Sequence, residues 1–170
     1  MISQTAYKKK EYRIKRSLAF SSFVIPLFLL LAANAFAGPL DYQLLEAAVK
    51  GDAAAVQSLL DRGAHIEGKD SGGSTALIFA ASRNWDKVIR LLVNRGADVN
   101  ARDNYGKTAL MYASLIDDAE LAKLLIKKGA NINAHDNNGN TALDMTKKYG
   151  FTNLAPILKA AGARESTANP

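Results

Sequence analysis

The sequence contains no cysteine among its 170 residues and only two histidines. Without cysteine, disulfide staples, thiolate metal sites and a cysteine nucleophile are all excluded. The two histidines, His65 and His135, stand far apart with no Glu-x-x-His or His-x-x-His partner, which leaves no imidazole-based metal site to nominate. Charge of one sign is also missing from most of the chain. The net charge is +6, but residues 1–37 hold Lys8, Lys9, Lys10, Arg13, Lys15 and Arg16 against the single acid Glu11, which is +5 of the total. The rest of the chain is nearly balanced, with a net charge of only +1, so no basic footprint for nucleic acid is spread over it. With 48% apolar residues the chain can bury a sizeable core, and its length sets one domain as the default.

Residues 1–37 have the order of a secretory signal. The basic stretch Lys8 to Arg16 is followed by apolar, uncharged FVIPLFLLLAA (Phe23 to Ala33) and by Ala35-Phe36-Ala37, whose two alanines suit a signal-peptidase pocket. Cleavage after Ala37 would start the mature chain at Gly38. The alternative is a retained anchor, because Leu18 to Ala37 is long enough to cross a bilayer in the roughly 20-residue sense. Pro26, Ser21, Ser22 and Asn34 weaken a permanent span. Both outcomes export the remainder: a periplasmic or secreted protein after cleavage, or one held at the inner membrane and facing the periplasm without it. No cysteine follows the apolar stretch, so a lipoprotein anchor is excluded.

From residue 41 onward the chain repeats itself. Gly63-Ala64, Gly96-Ala97, Gly129-Ala130 and Gly162-Ala163 recur at a spacing of 33. Thr75, Thr108 and Thr141 each open a Thr-Ala-Leu, and Asp70, Asp103 and Asp136, at the same step, are each followed three positions later by a glycine. Each marker has a physical task. The threonine hydroxyl can accept a bond from an unpaired N–H of a helix's first turn. Leu77, Phe79 and Ala80, repeated as Leu110, Tyr112 and Ala113, fall at helical spacing toward neighbouring units. Val88, Ile89, Leu91 and Leu92, repeated as Leu121, Ala122, Leu124 and Leu125, make a second apolar stripe too narrow to be buried within one unit. Gly96 and Gly129 stand just past that second helix, where a left-handed residue ends it. Asp103 to Gly106 and Asp136 to Gly139 mark turns.

On these residues the chain resembles the ankyrin-repeat family, whose period is 33. The segments 70–102 and 103–135 read as full repeats, 41–69 as an N-terminal capping repeat and 136–163 as a C-terminal one, within a domain of residues 38–163 and followed by a disordered tail over 164–170. The usual Pro and His of the helix opening are replaced by Ala76, Ala109 and Ala142 and by Ile78, Met111 and Asp144, as in the variant common among bacterial ankyrin proteins; the long leader also looks bacterial. The fold implied is an all-α repeat solenoid of helix-turn-helix units with hairpin turns, expected to be a monomer.

The resemblance implies protein binding through a concave face made of the turns and the exposed side of the first helices. Carried over position by position, the protein-binding residues are Arg83, Tyr105, Lys107, Leu115, Ile116, Lys148 and Tyr149, together with turn residues such as Asn104, Asn137, Asn138 and Asn140. The partner would be an enzyme that the module stabilises or a toxin that it neutralises. Trp85 and Phe151 share one repeat position and are expected to cover the core edge.

A search for chemistry ends without a site. Gly63 to Lys69 fits a phosphate loop until Asp70 stands where a Ser or Thr hydroxyl is required, after a helix instead of a strand. Ser74 has no Gly-x-Ser-x-Gly elbow, and the carboxylates are scattered. The expectation is a binding module with no catalytic residues, cofactor or metal. An inner-membrane scaffold is the alternative, and an enzyme of unrecognised type a remote third.

Overall fold

The computed structural model describes residues 38–166, so the expected export segment and residues 167–170 of the expected tail lie outside the described residues. Eight helices follow in four pairs: α1 (Pro39–Lys50) with α2 (Ala53–Asp61), α3 (Ala76–Ser82) with α4 (Asp86–Asn94), α5 (Ala109–Leu115) with α6 (Ala119–Lys127), and α7 (Ala142–Lys148) with α8 (Leu154–Ala160). No strand occurs among the described residues. The inner helices α1, α3, α5 and α7 pack one on the next, and each also packs on its own outer helix. The architecture is an all-α repeat solenoid.

The helices start where the sequence supplies acceptors. Thr75, Thr108 and Thr141 adopt extended backbone conformations, and their hydroxyls accept bonds from the N–H groups of Ile78 (3.4 Å), Met111 (3.4 Å) and Asp144 (3.2 Å). Asp52 and Asp118 cap α2 and α6 in the same manner, accepting from Ala55 (2.9 Å) and Leu121 (2.8 Å). Helix α1 begins at Pro39, whose fixed φ suits a first helical turn, and runs for 12 residues where the other inner helices have 7. The Asp41 carboxylate accepts from the backbone N–H of Gly38 (2.9 Å) and of His65 (2.6 Å), tying the helix start to the first unit's loop.

Helix ends close with equal economy. Gly96 and Gly129 are left-handed (φ 85 and 89), which lets Ala97 donate to the Leu92 carbonyl and Ala130 to the Leu125 carbonyl, each at 3.0 Å. Between inner and outer helices a second left-handed position recurs once in every unit, as Gly51, Asn84, Asp117 and Gly150. The sequence conceals this position because its occupant changes, although Asn and Asp are the side chains that tolerate it best.

Small residues let the inner helices approach closely. Ala47, Ala80 and Ala113 form one buried column, which Thr146 completes. Thr146 and the buried Ser114 donate their hydroxyls to the Leu143 (2.8 Å) and Leu110 (3.1 Å) carbonyls of their own helices. Leu77, Leu110 and Leu143 fill the adjoining layer, and Ile78 and Met111, at the position of the family's histidine, are fully buried. Each such apolar side chain contributes about 1.5–3 kcal/mol by leaving water. Among the described residues, every buried side-chain nitrogen and oxygen has a hydrogen-bond partner. Arg164 and Ser166, assigned to the tail, donate backbone bonds to Asn133 (2.8 Å) and Asp144 (3.1 Å).

Candidate functional site at the turns and inner helices

The turns that precede α3, α5 and α7 are each built around one aspartate, Asp70, Asp103 and Asp136. Asp103 Oδ1 accepts the backbone N–H groups of Tyr105 (2.9 Å) and Lys107 (2.8 Å), and Asp136 Oδ1 accepts those of Asn138 and Asn140, both at 2.9 Å. Successive turns are stapled together by asparagine. Asn104 donates its backbone N–H to the Gly72 carbonyl (2.9 Å) and its amide to that of Ser71 (3.0 Å), while Asn137 does the same to Tyr105 (2.9 Å) and Asn104 (2.8 Å). The Asn140 amide is spent on Asp136. Asn104 and Asn137, read as contact positions from the sequence, are thus rungs of the stack, and Asn140 braces its own turn.

This scaffold presents the side chains that remain. Tyr105 at the turn tip is 69% exposed, and Tyr149 at the end of α7 is 54% exposed. The Lys107 ammonium lies 5.9 Å from the centre of the Tyr105 ring and 5.8 Å from that of Tyr112, so two aromatic faces hold one cation. Lys148 sits 5.9 Å from the Tyr149 ring, which itself stacks on Phe151 with centroids 5.9 Å apart. Between the third and fourth units the surface opens into a groove of about 110 Å³, lined by Lys107, Leu115, Asn138, Met145, Lys148 and Tyr149 above the carboxylates of Asp136 and Asp144.

Four of the seven residues assigned from the sequence, Lys107, Leu115, Lys148 and Tyr149, line this groove, and Tyr105 adjoins it through Lys107. Arg83 and Ile116 are exposed at the ends of α3 and α5 but do not line it. Sequence reasoning misses Tyr112, assigning it to packing between units. The ring is half-buried and its hydroxyl donates to Asp103 Oδ2 at 2.7 Å. Burial, reinforced by that bond and by the negative charge of Asp103, pushes the Tyr112 phenol well above its ordinary value, so it remains a neutral donor. The available signal is a tyrosine at the position that holds Phe79 one unit earlier. Asp144 stands at the repeat position that holds buried Ile78 and Met111 in the two preceding units. Burial alone would raise its pKa, but bonds from the Thr141 backbone, the Thr141 hydroxyl and Ser166 outweigh that and hold it below the ordinary carboxylate value.

Trp85, expected at the core edge, has a more specific place. Its indole N–H donates to the Val49 carbonyl at 3.1 Å and its ring covers Gly51, so it seals the junction of the first two units while staying 40% exposed.

A family model for ankyrin repeats, in three copies, matches residues 44–136. The chain belongs to the ankyrin-repeat family. Ankyrin repeats are generally protein–protein interaction modules, and this stack has the helix pairs and turns of that class. No curated protein matches the sequence. The match ends at Asp136, and the fourth ankyrin unit, α7 and α8, lies beyond it. The groove therefore lies between the last matched repeat and the unit that follows it. Among the described residues of the ankyrin stack no helix is long and apolar enough to cross a membrane, and no group of three His, Asp or Glu side chains is arranged to hold a metal.

Proposed function

We propose that the protein is an exported ankyrin-repeat interaction module that binds a protein partner through the face formed by its turns and inner helices, with its centre at the groove between the third and fourth units. The observation that carries this reading is the convergence of Lys107, Leu115, Lys148 and Tyr149 on one groove, flanked by exposed Tyr105. Exposed tyrosines at the edge of a partly desolvated depression are among the side chains that most often anchor protein interfaces. Export rests on the basic, apolar and small-residue order of residues 1–37, with cleavage before Gly38. The partner is then an exported protein, an enzyme to be stabilised or a toxin to be neutralised. If the leader is retained, the same face is presented from the inner membrane.

Replacing Leu115 and Tyr149 together by alanine tests the binding reading, since truncated anchors typically cost about 2 kcal/mol or more each. Cross-linking in the source cells, followed by identification of the captured proteins, should yield a partner with the wild-type chain and lose it with the double variant. Capture of the same partner by a variant that melts as the wild type does would refute the assignment of the face. N-terminal sequencing of the exported protein should begin at Gly38, and a start at Met1 in the membrane fraction would establish the tether instead.

A further inference from the structure

The last unit departs from its predecessors at positions that are buried earlier in the stack. Ile78 and Met111 are buried in the two preceding units, and Asp144 stands in their place. Ala81 and Ser114 are fully buried, whereas the equivalent Lys147 is exposed. In the loop after the outer helix Val99 is buried and Ile132 packs against the core, whereas the equivalent Glu165 is exposed. Three apolar or small positions have thus become Asp, Lys and Glu, and residues 164–166 connect them. The Asp144 carboxylate accepts the Ser166 backbone N–H (3.2 Å to Oδ1, 3.1 Å to Oδ2), and Lys147 pairs with Glu165. Arg164 is held by the repeat's own bracket: its N–H donates to Asn133 Oδ1 at 2.8 Å, as Asn131 donates to Asn100 (2.6 Å) and Asp98 to Glu67 (2.8 Å) in the units before.

The chain therefore keeps the repeat at Arg164 and turns polar immediately after it. Among the described residues no inner helix follows α7, which packs on α5 and α8. A terminal face of apolar side chains would adhere to other chains, and the polar set removes that hazard. We propose that residues 164–166 are a strap that closes the terminal face of the stack and holds α7 in place, anchored on Asn133, Asp144 and Lys147. The stack makes the effect local: each unit contacts only its neighbours, so losing the strap opens the last unit ahead of the rest. The strap also bears on the groove, because Asp144 lines it and so do Lys148 and Tyr149, about one turn further along α7. Its release loosens the fourth-unit wall, while Lys107 and Leu115 on the third-unit wall stay fixed. That consequence for binding rests on the reading above; the strap itself does not.

Hydrogen exchange followed by mass spectrometry on the purified full chain tests the proposal without any partner. Ser166→Pro removes the N–H that Asp144 accepts, and Ser166→Ala keeps it. In S166P the amides of α7 and α8 should exchange about fivefold faster, as expected for one lost hydrogen bond. S166A should exchange as the wild type does, and α3 and α4 should be unchanged in both variants. A chain ending at Ala163 loses all three anchors and should show a larger acceleration centred on the same two helices. Unchanged exchange of α7 and α8 in S166P would overturn the strap, since the bond would then hold nothing. Equal acceleration in S166A would overturn it too, by placing the effect in the side chain. So would an acceleration in S166P spread evenly over all eight helices, which marks a loss of global stability instead of the release of one end.

Discussion

The first and last junctions of the stack are built from the same repeat and finished differently. Where the first unit meets the second, Trp85 lies over Gly51 and bonds to Val49, and Arg95 reaches Asp61 at 3.0 Å. Where the third meets the fourth, Asp117 secures the outer side by accepting from Asn153 and Leu154, at the start of α8. The inner side is left as a groove with Tyr149 and Lys148 at its edge. One junction spends its large aromatic residue on closure, and the other leaves two tyrosines in water. One end of the short solenoid is closed by Trp85 and the other is left open at its inner side, which is feasible because each unit contacts only its neighbours.

Four substitutions bear on that contrast. The largest effect is expected at Gly51. Its φ of 75 is strained for any side chain, and an added Cβ would lie 2.5 Å from the Trp85 ring. Gly51→Ala should cost about 3 kcal/mol, combining left-handed strain with overpacking. Gly150, at the same repeat position with φ 69, meets nothing within 4 Å, so Gly150→Ala should cost only about 1 kcal/mol of strain. Urea denaturation of the two variants would measure the difference, and equal costs would mean that Trp85 does not seal the first junction.

The next effect is Trp85→Ala, at about 2 kcal/mol for a ring that is only partly buried. In its background Gly51→Ala should fall to the cost of Gly150→Ala, a coupling that a double-mutant cycle reads directly.

The smallest is Asp144→Asn, below about 1 kcal/mol at neutral pH because the carboxylate is largely solvated. Since the folded pKa lies under the ordinary value of 3.8, the contribution of Asp144 is fully present above that pH and is lost as the pH falls further. Thermal melts of wild type and variant should differ at pH 7 and converge in acid.

Much of this molecule is legible from residue 41 onward because its markers are local. A threonine that caps a helix, a glycine that ends one and an aspartate that closes a turn each act on backbone groups close by in the chain, so their recurrence at one fixed period writes out the units. The contact positions are legible to a lesser degree. Lys107, Leu115, Lys148 and Tyr149 could be placed on one face by repeat arithmetic, but Asn104 and Asn137 look equally available in the sequence and are consumed by the adjoining turn. Tyr112 is hidden for the complementary reason: its ring serves the packing while its hydroxyl finds Asp103.

The sequence by itself determined the helix pairs, their caps and the need to stack, because amphipathic stripes too narrow for one unit must be buried against the next. It also carries the export-like order of residues 1–37. Only the tertiary structure decided which polar groups are free. Whether an asparagine is a rung of the stack and whether a tryptophan covers the core edge or a neighbouring glycine depend on groups about a full repeat away along the chain. That is the separation at which one unit's turn and helix end come to rest on another's.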